Sequence, residues 1–267
     1  LKISVCGKGG SGKSTVVALL AQQLRRRDWR VVVVDSDESN SGLHRLLGFD
    51  QPPRPLLELV GGKKNVQREL RRKFTEGDEE SEVSVLARPE LQVADLPVEH
   101  LVERDRVRLV TVGKIHQALE GCACPMGVLT REFLKKLRTA DDEIVVVDME
   151  AGIEHFGRGI ETSIDAVIVV VEPSFESLEL AGKVGQLASG ASANFIGAVL
   201  NKVGSQELGS RLTRELQARE IALVGTIYHH EEIAAAGLAG QAPCSAAAQQ
   251  EAGAIVDVLL ARRSTSR

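Results

Sequence analysis

The chain has 267 residues, a formal net charge of −4 and 43% apolar residues, the balance of a water-soluble globular protein. That charge supplies no field for nucleic acid or an anionic membrane, and no apolar stretch approaches the ~20 residues of a membrane span. Four cysteines, Cys6, Cys122, Cys124 and Cys244, are too few and scattered for a disulfide scaffold, and the first residues read as a strand rather than a secretion signal. The expectation is a cytoplasmic protein in a reducing compartment, with neither nucleic acid nor membrane as partner.

Residues 3–6 are an apolar strand pattern and residues 16–24 an apolar helical one. Between them lies Gly7-Lys8-Gly9-Gly10-Ser11-Gly12-Lys13-Ser14-Thr15. The spacing G-x-x-x-x-G-K-S between strand and helix is that of a P-loop, whose backbone N–H groups approach phosphates at the positive end of the helix dipole. Residues Gly9, Gly10, Ser11, Gly12 and Thr15 then form the cradle. Lys13 reaches the terminal phosphates and Ser14 is placed to coordinate Mg²⁺. The general motif does not need Lys8, five positions before Lys13; it is either a solvated loop lysine or a second cation at the mouth of the cradle.

Residues 31–34 are four consecutive valines running into Asp35-Ser36-Asp37, the pattern of a central parallel strand buried on both faces. Ligands of such sheets gather at the carboxyl ends of strands, which puts both aspartates beside the P-loop. Asp37 is the candidate for orienting the attacking water. Asp35 either supports the loop or metal, or merely caps a turn. A short helix is expected within residues 39–49, a proline-rich turn at 51–55, a solvated helix and loop within 63–82, irregular chain at 90–106 and a strand at 108–113. Residues 50–106 read as an insertion on one α/β domain spanning 1–267.

Gly121-Cys122-Ala123-Cys124-Pro125-Met126-Gly127 precedes a helical pattern at 128–137. Proline favours the first helical position, so Cys124 falls near the helix N-terminus, where a thiolate is stabilised. Cys122 and Cys124 are either free thiols or half of a metal site. A four-coordinate zinc or nickel site takes four ligands, which two chains meeting at a two-fold axis would supply. Residues 144–147 form another buried strand ending in Asp148, at the place where a P-loop protein holds Mg²⁺, and the Gly152 N–H would sense the γ-phosphate. Further strands are expected at 167–171, 195–200 and 222–227, with helices at 178–187 and 246–261. Asn201 and Lys202 follow a strand end, where an amide can read a purine base and a lysine stem can cover it. His229 and His230 read as surface residues of a loop.

The loop Lys8 to Thr15 resembles the deviant Walker A of the dimeric ATPases that include the ParA/MinD proteins and nitrogenase iron protein. In that family the extra lysine reaches the partner's nucleotide, a role the resemblance implies for Lys8. With Leu-Val-Gly-Gly-Lys-Lys at 59–64, Val-Gly-Lys-Ile at 112–115, Cys-Ala-Cys-Pro-Met-Gly at 122–127 and the segment Asp-Met-Glu-Ala-Gly-Ile-Glu-His at 148–155, most of the chain is similar to the carbon monoxide dehydrogenase maturation ATPases of CooC type. The resemblance implies an α/β P-loop NTPase with a mostly parallel sheet of seven or eight strands flanked by helices on both faces. It also implies an ATP- and Mg²⁺-dependent homodimer that inserts nickel into a client enzyme, with Ni²⁺ or Zn²⁺ held between subunits by Cys122 and Cys124. Where that family has a Pro-Tyr-Asp-like stretch, this chain has Ile227-Tyr228-His229-His230. Two rivals are a nitrogenase-iron-protein-like reductase, whose cluster ligands lie on distant loops, and a MinD-like switch without metal.

Overall fold

A computed structural model describes residues 1–76, 85–114, 124–153, 156, 159–190 and 195–265. Eight strands form one sheet in the order β3-β4-β2-β5-β1-β6-β7-β8. They are β1 (Lys2–Gly7), β2 (Arg30–Asp35), β3 (Val102–Arg104), β4 (Val107–Thr111), β5 (Glu143–Asp148), β6 (Ala166–Val171), β7 (Phe195–Val203) and β8 (Leu223–Tyr228). Only β3 runs antiparallel to its neighbour. The valine runs of β2, β5 and β6 are buried along their length because helices cover both faces of the sheet.

On one face α1 (Lys13–Arg26) and α9 (Ala246–Thr265) pack side by side, α1 over β1, β2 and β5 and α9 over β8. Helix α9 presents Ala248, Ala252, Ile255, Val256 and Leu259, one stripe at helical spacing, and its alanines allow close approach to α1. The other face is covered by α3 (Leu56–Leu59), α4 (Gly62–Glu76), α5 (Cys124–Lys136), α6 (Phe175–Gly190) and α7 (Gln206–Gln217). The short α2 (Leu43–Leu46) and α8 (Glu231–Leu238) flank the carboxyl end of the sheet. No helix among the described residues is long and apolar enough to cross a membrane.

Several elements differ from the sequence expectation. The helix expected within 39–49 is only the single turn α2. Residues 90–106 are not simply irregular: β3 pairs with β4 through the two-residue turn Asp105-Arg106, both at positive φ (50° and 65°). Such a turn is ordinarily marked by Asn-Gly or Asp-Gly, and Asp-Arg hides it. Strand β7 continues to Val203, so Asn201 and Lys202 lie inside it rather than beyond it. Helix α7 adds an element to those expected from the sequence: Ser205 caps it, and Leu208, Leu212 and Leu216 recur every fourth residue.

Candidate active site

Strand β1 and helix α1 are joined by the glycine-rich loop, and α1 begins at Lys13 with no side-chain cap. Its first N–H groups are thereby left for a ligand rather than for a capping hydroxyl. Gly12 sits at φ +89° with the Asn201 amide where a Cβ would be, so two reasons require glycine there. Gly9, Gly10, Gly12, Lys13, Ser14 and Thr15 line a cleft of about 550 Å³, closed on its far side by Asp37, Ser39, Asn40 and Arg45. Lys13 is buried and its Nζ donates to the Lys8 carbonyl at 3.5 Å, which folds it over the loop it would leave on meeting phosphate.

Next to the cleft two buried carboxylates lie side by side, because β2 and β5 pair with Asp35 opposite Asp148. Ser14 Oγ donates to Asp148 Oδ2 at 2.6 Å, and Asn40 Nδ2 donates to Ser14 Oγ at 2.7 Å. Asp148 Oδ1 is buried without a hydrogen-bond partner among the described residues. Burial raises the Asp148 pKa to about 7, helped by the Asp35 charge and opposed by Ser14 and Lys13. A buried carboxylate with an orphaned oxygen beside a hydroxyl is the hard oxygen donor set that Mg²⁺ takes, so these residues fit that ion.

Asp37 is buried at the cleft wall and its Oδ1 accepts from the Ser39 N–H at 2.9 Å and the Ser39 hydroxyl at 2.6 Å. Asp35 is pushed up to about 6 by burial, although its salt bridge to Lys114 Nζ at 2.7 Å pulls the other way. Lys114 also donates to the carbonyls of Asp37 and Asn40. Sequence reasoning gave Lys114 no role; the signal, a lone lysine just past a strand end, is too common to single it out.

A sequence model of the CobQ/CobB/MinD/ParA nucleotide binding domain matches residues 3–244. The chain belongs to that family. It is a P-loop ATPase of the MinD/ParA type, and ATP, ADP and Mg²⁺ are its expected ligands. It is 42% identical over 246 residues to an ATP-binding protein of Methanocaldococcus jannaschii described as uncharacterized, covering 90% of this chain and 93% of that one. It is 35% identical to the carbon monoxide dehydrogenase accessory protein CooC of Rhodospirillum rubrum, covering 98% of this chain and 97% of that one. Among solved structures it resembles the Pyrococcus horikoshii septum site-determining protein MinD with Mg-ADP, at TM-score 0.69 and 18% identity over 100% of this chain and 98% of that one. The Pyrococcus furiosus cell division ATPase MinD gives 0.66 and 21% over 98% of each chain. The last two likenesses concern the fold alone.

In this MinD/ParA-type ATPase, Lys8 does not point freely outward: its Nζ lies 3.6 Å from Glu172 Oε1 and 3.8 Å from Glu176 Oε2. The Gly152 N–H donates to the Gly7 carbonyl at 3.2 Å, so it is engaged by the P-loop rather than open to a phosphate. Asn201 and Lys202 are likewise turned to the cradle. Asn201 Nδ2 donates to the Ser11 carbonyl at 2.8 Å and Lys202 Nζ to the Gly10 carbonyl, while Asn201, Lys202, Tyr228 and His229 line an adjoining pocket. His230 Nε2 lies 2.9 Å from Glu251 Oε2, a partner that accounts for it without a metal.

Cys122 lies outside the described residues; Cys124 is the first residue of α5. No group of three or more potential metal-ligating side chains occurs among the described residues. Cys6 is buried in β1 and Cys244 is exposed. The structure thus lines one cleft with Lys13, Ser14 and Asp37, bonds Asp148 to Ser14, ties Gly152, Asn201 and Lys202 to carbonyls of the loop and turns Lys8 to Glu172 and Glu176.

Proposed function

We propose that this ATPase is a nickel-insertion metallochaperone: a cytoplasmic homodimer that couples ATP hydrolysis to delivery of Ni²⁺ into a carbon monoxide dehydrogenase or another nickel enzyme. The likeness to the Rhodospirillum rubrum accessory protein along nearly the whole chain supports the client class. One observation carries the coupling. The first turn of α5, opened by Cys124, is tied to the nucleotide cleft: Thr130 Oγ1 donates to the Met126 carbonyl at 2.9 Å and lies 3.3 Å from Ser36 Oγ. Ser36 sits between Asp35 and Asp37. Met126 Sδ would be 2.7 Å from a Cβ on Gly113, the residue before Lys114, so the packing there is tight.

In the proposed cycle the N–H groups of residues 9–15 take the phosphates and Lys13 leaves the Lys8 carbonyl for the γ-phosphate. Ser14 and Asp148 hold Mg²⁺, which when bound neutralises charge on the phosphate oxygens. Asp37 orients the attacking water. Lys8 leaves Glu172 and Glu176 for the partner's phosphates, and the Gly152 N–H exchanges the Gly7 carbonyl for a γ-phosphate oxygen. Asn201 and Lys202 brace the cradle and flank the base. Closure brings Cys122 and Cys124 of both subunits together around the cargo ion; hydrolysis loosens the dimer and with it the ion.

The test is metal bound per chain in equilibrium dialysis against Ni²⁺ and Zn²⁺, with and without ADP or ATP, for the wild type and Cys122→Ser/Cys124→Ser. One ion per two chains, dependent on the cysteines and tuned by nucleotide, is expected. Binding untouched by the double substitution would sink the shared thiolate site and leave a switch acting on a protein partner.

A further inference from the structure

We infer that Lys114 is a positioning residue for ATP hydrolysis, its ammonium group fixing residues 37–40 so that Asp37 faces the attacking water and Asn40 holds Ser14. An ammonium group has three donors and no acceptor. At Lys114 all three are satisfied, by Asp35 Oδ1 at 2.7 Å and by the main-chain carbonyls of Asp37 and Asn40. The side chain is 9% exposed and that of Asp35 4%, so water does not substitute for these bonds.

The three acceptors differ in kind. Asp35 ends the rigid strand β2, whose carbonyl also accepts from the Val112 N–H at 2.9 Å just before Lys114. Asp37 and Asn40 belong to the loop that walls the cleft. Lys114 therefore bridges sheet to loop. The loop also carries the Asx-type bonds Ser39 N–H to Asp37 Oδ1 and Gly42 N–H to Asn40 Oδ1, which shape it locally, and the Asn40 amide bond to Ser14. A salt bridge alone would need only Asp35. The two carbonyls are what place the water-orienting aspartate and the Ser14 partner at fixed distances from the P-loop. Arginine would carry the charge, but its planar fork cannot converge on three acceptors around one nitrogen.

The inference rests on Asp37 being the water-orienting residue, so Asp37→Asn is measured in parallel. Steady-state ATPase kinetics, ADP affinity in EDTA and thermal midpoints are compared for wild type, Asp37→Asn, Lys114→Met, Lys114→Arg and Lys114→Met/Asp35→Asn. The double variant removes the buried carboxylate that Lys114→Met would leave unpaired, and so separates positioning from folding. The expected result is a kcat drop of roughly tenfold or more in both Lys114→Met backgrounds, with KM and ADP affinity within about twofold and partial rescue in Lys114→Arg. Recovery of kcat in the double variant together with its thermal midpoint would overturn the inference and leave a structural ion pair. Full activity in Asp37→Asn would instead overturn the assignment on which it rests.

Discussion

The Ser14 hydroxyl donates a 2.6 Å hydrogen bond to Asp148 Oδ2 while Oδ1 of the same carboxylate is buried without a partner among the described residues. One oxygen of the carboxylate is tied to the P-loop and the other has the lone pairs that a hard cation takes. Asp148→Asn keeps the shape and can still bond Ser14, yet it brings no charge to Mg²⁺. ATPase activity is expected to fall at least roughly 100-fold, the upper end of the loss when a supporting partner of a metal site is removed. ADP affinity in EDTA should be unchanged within about twofold, since the cradle N–H groups are untouched. Activity retained above a tenth of wild type would show that Asp148 does not hold the ion.

The same carboxylate gives a pH signature. Burial raises Asp148 to about 7 and Asp35 to about 6, above the ordinary value of 3.8, so from about pH 4 to 7 these two carboxyls bind more protons in the folded chain than in the unfolded one. Their stabilising contribution is present at the acid end of that window and is lost as pH rises through it. Asp142, Glu90 and Asp95 shift downward, which confines their opposite contribution to more acid solution. In EDTA the thermal midpoint of Asp148→Asn should exceed that of wild type by a few degrees, about 3 °C, at pH about 8 and converge with it near pH about 5. A gap that does not change with pH would refute the buried-carboxylate account. Mg²⁺ affinity should fall in the same acid direction, because the ion competes with the proton.

Lys8 is held in its own subunit by Glu172 and Glu176, with side chains 40%, 21% and 69% exposed, and pairs of that exposure stabilise a fold by only ~0–1 kcal/mol. Lys8→Ala should therefore leave the thermal midpoint within about 2 °C of wild type. It should nevertheless abolish ATP-dependent association in light scattering and lower ATPase activity about tenfold or more, because the transition-state charge loses a cation. Association at wild-type ATP concentrations would remove the cross-subunit step.

How much of this site could be read from the chain depends on how local each contact is. Residues 7–15 and the strand leading to Asp148 declare themselves in contiguous segments, where the type and order of residues suffice. Lys114 does not, since its acceptors lie 74 to 79 positions earlier and meet it only through the β2–β4 register that puts Asp35 opposite Thr111. Asn201 and Lys202 stand out in the sequence as a dipeptide at a strand end, but their bonds to the Ser11 and Gly10 carbonyls follow from β7 running on to Val203, a length no local signal marks. In the fold, the buried valine strands stand out because both faces are covered. The edge strand β3 does not, being three residues long and half wet.

The polar part of the link between α5 and the nucleotide cleft can be removed at one hydroxyl, leaving the packing of Met126 on Gly113 in place. Thr130 is buried, donates to the Met126 carbonyl and touches Ser36 Oγ, yet contributes nothing to the lining of the cleft. Thr130→Val preserves the shape and β-branching and deletes both contacts, at a cost of about 1 kcal/mol in stability. Basal ATPase activity should stay within about twofold. Coupling energies between sites are typically ~1–3 kcal/mol, a ~5–150-fold change in affinity. If α5 carries that coupling, the ratio of Ni²⁺ affinities with ATP and without nucleotide should shrink toward one in Thr130→Val, measured by the same dialysis. A ratio equal to wild type, with only the thermal midpoint lowered, would mean that Thr130 supports the helix and that nucleotide reaches the thiolates by another route.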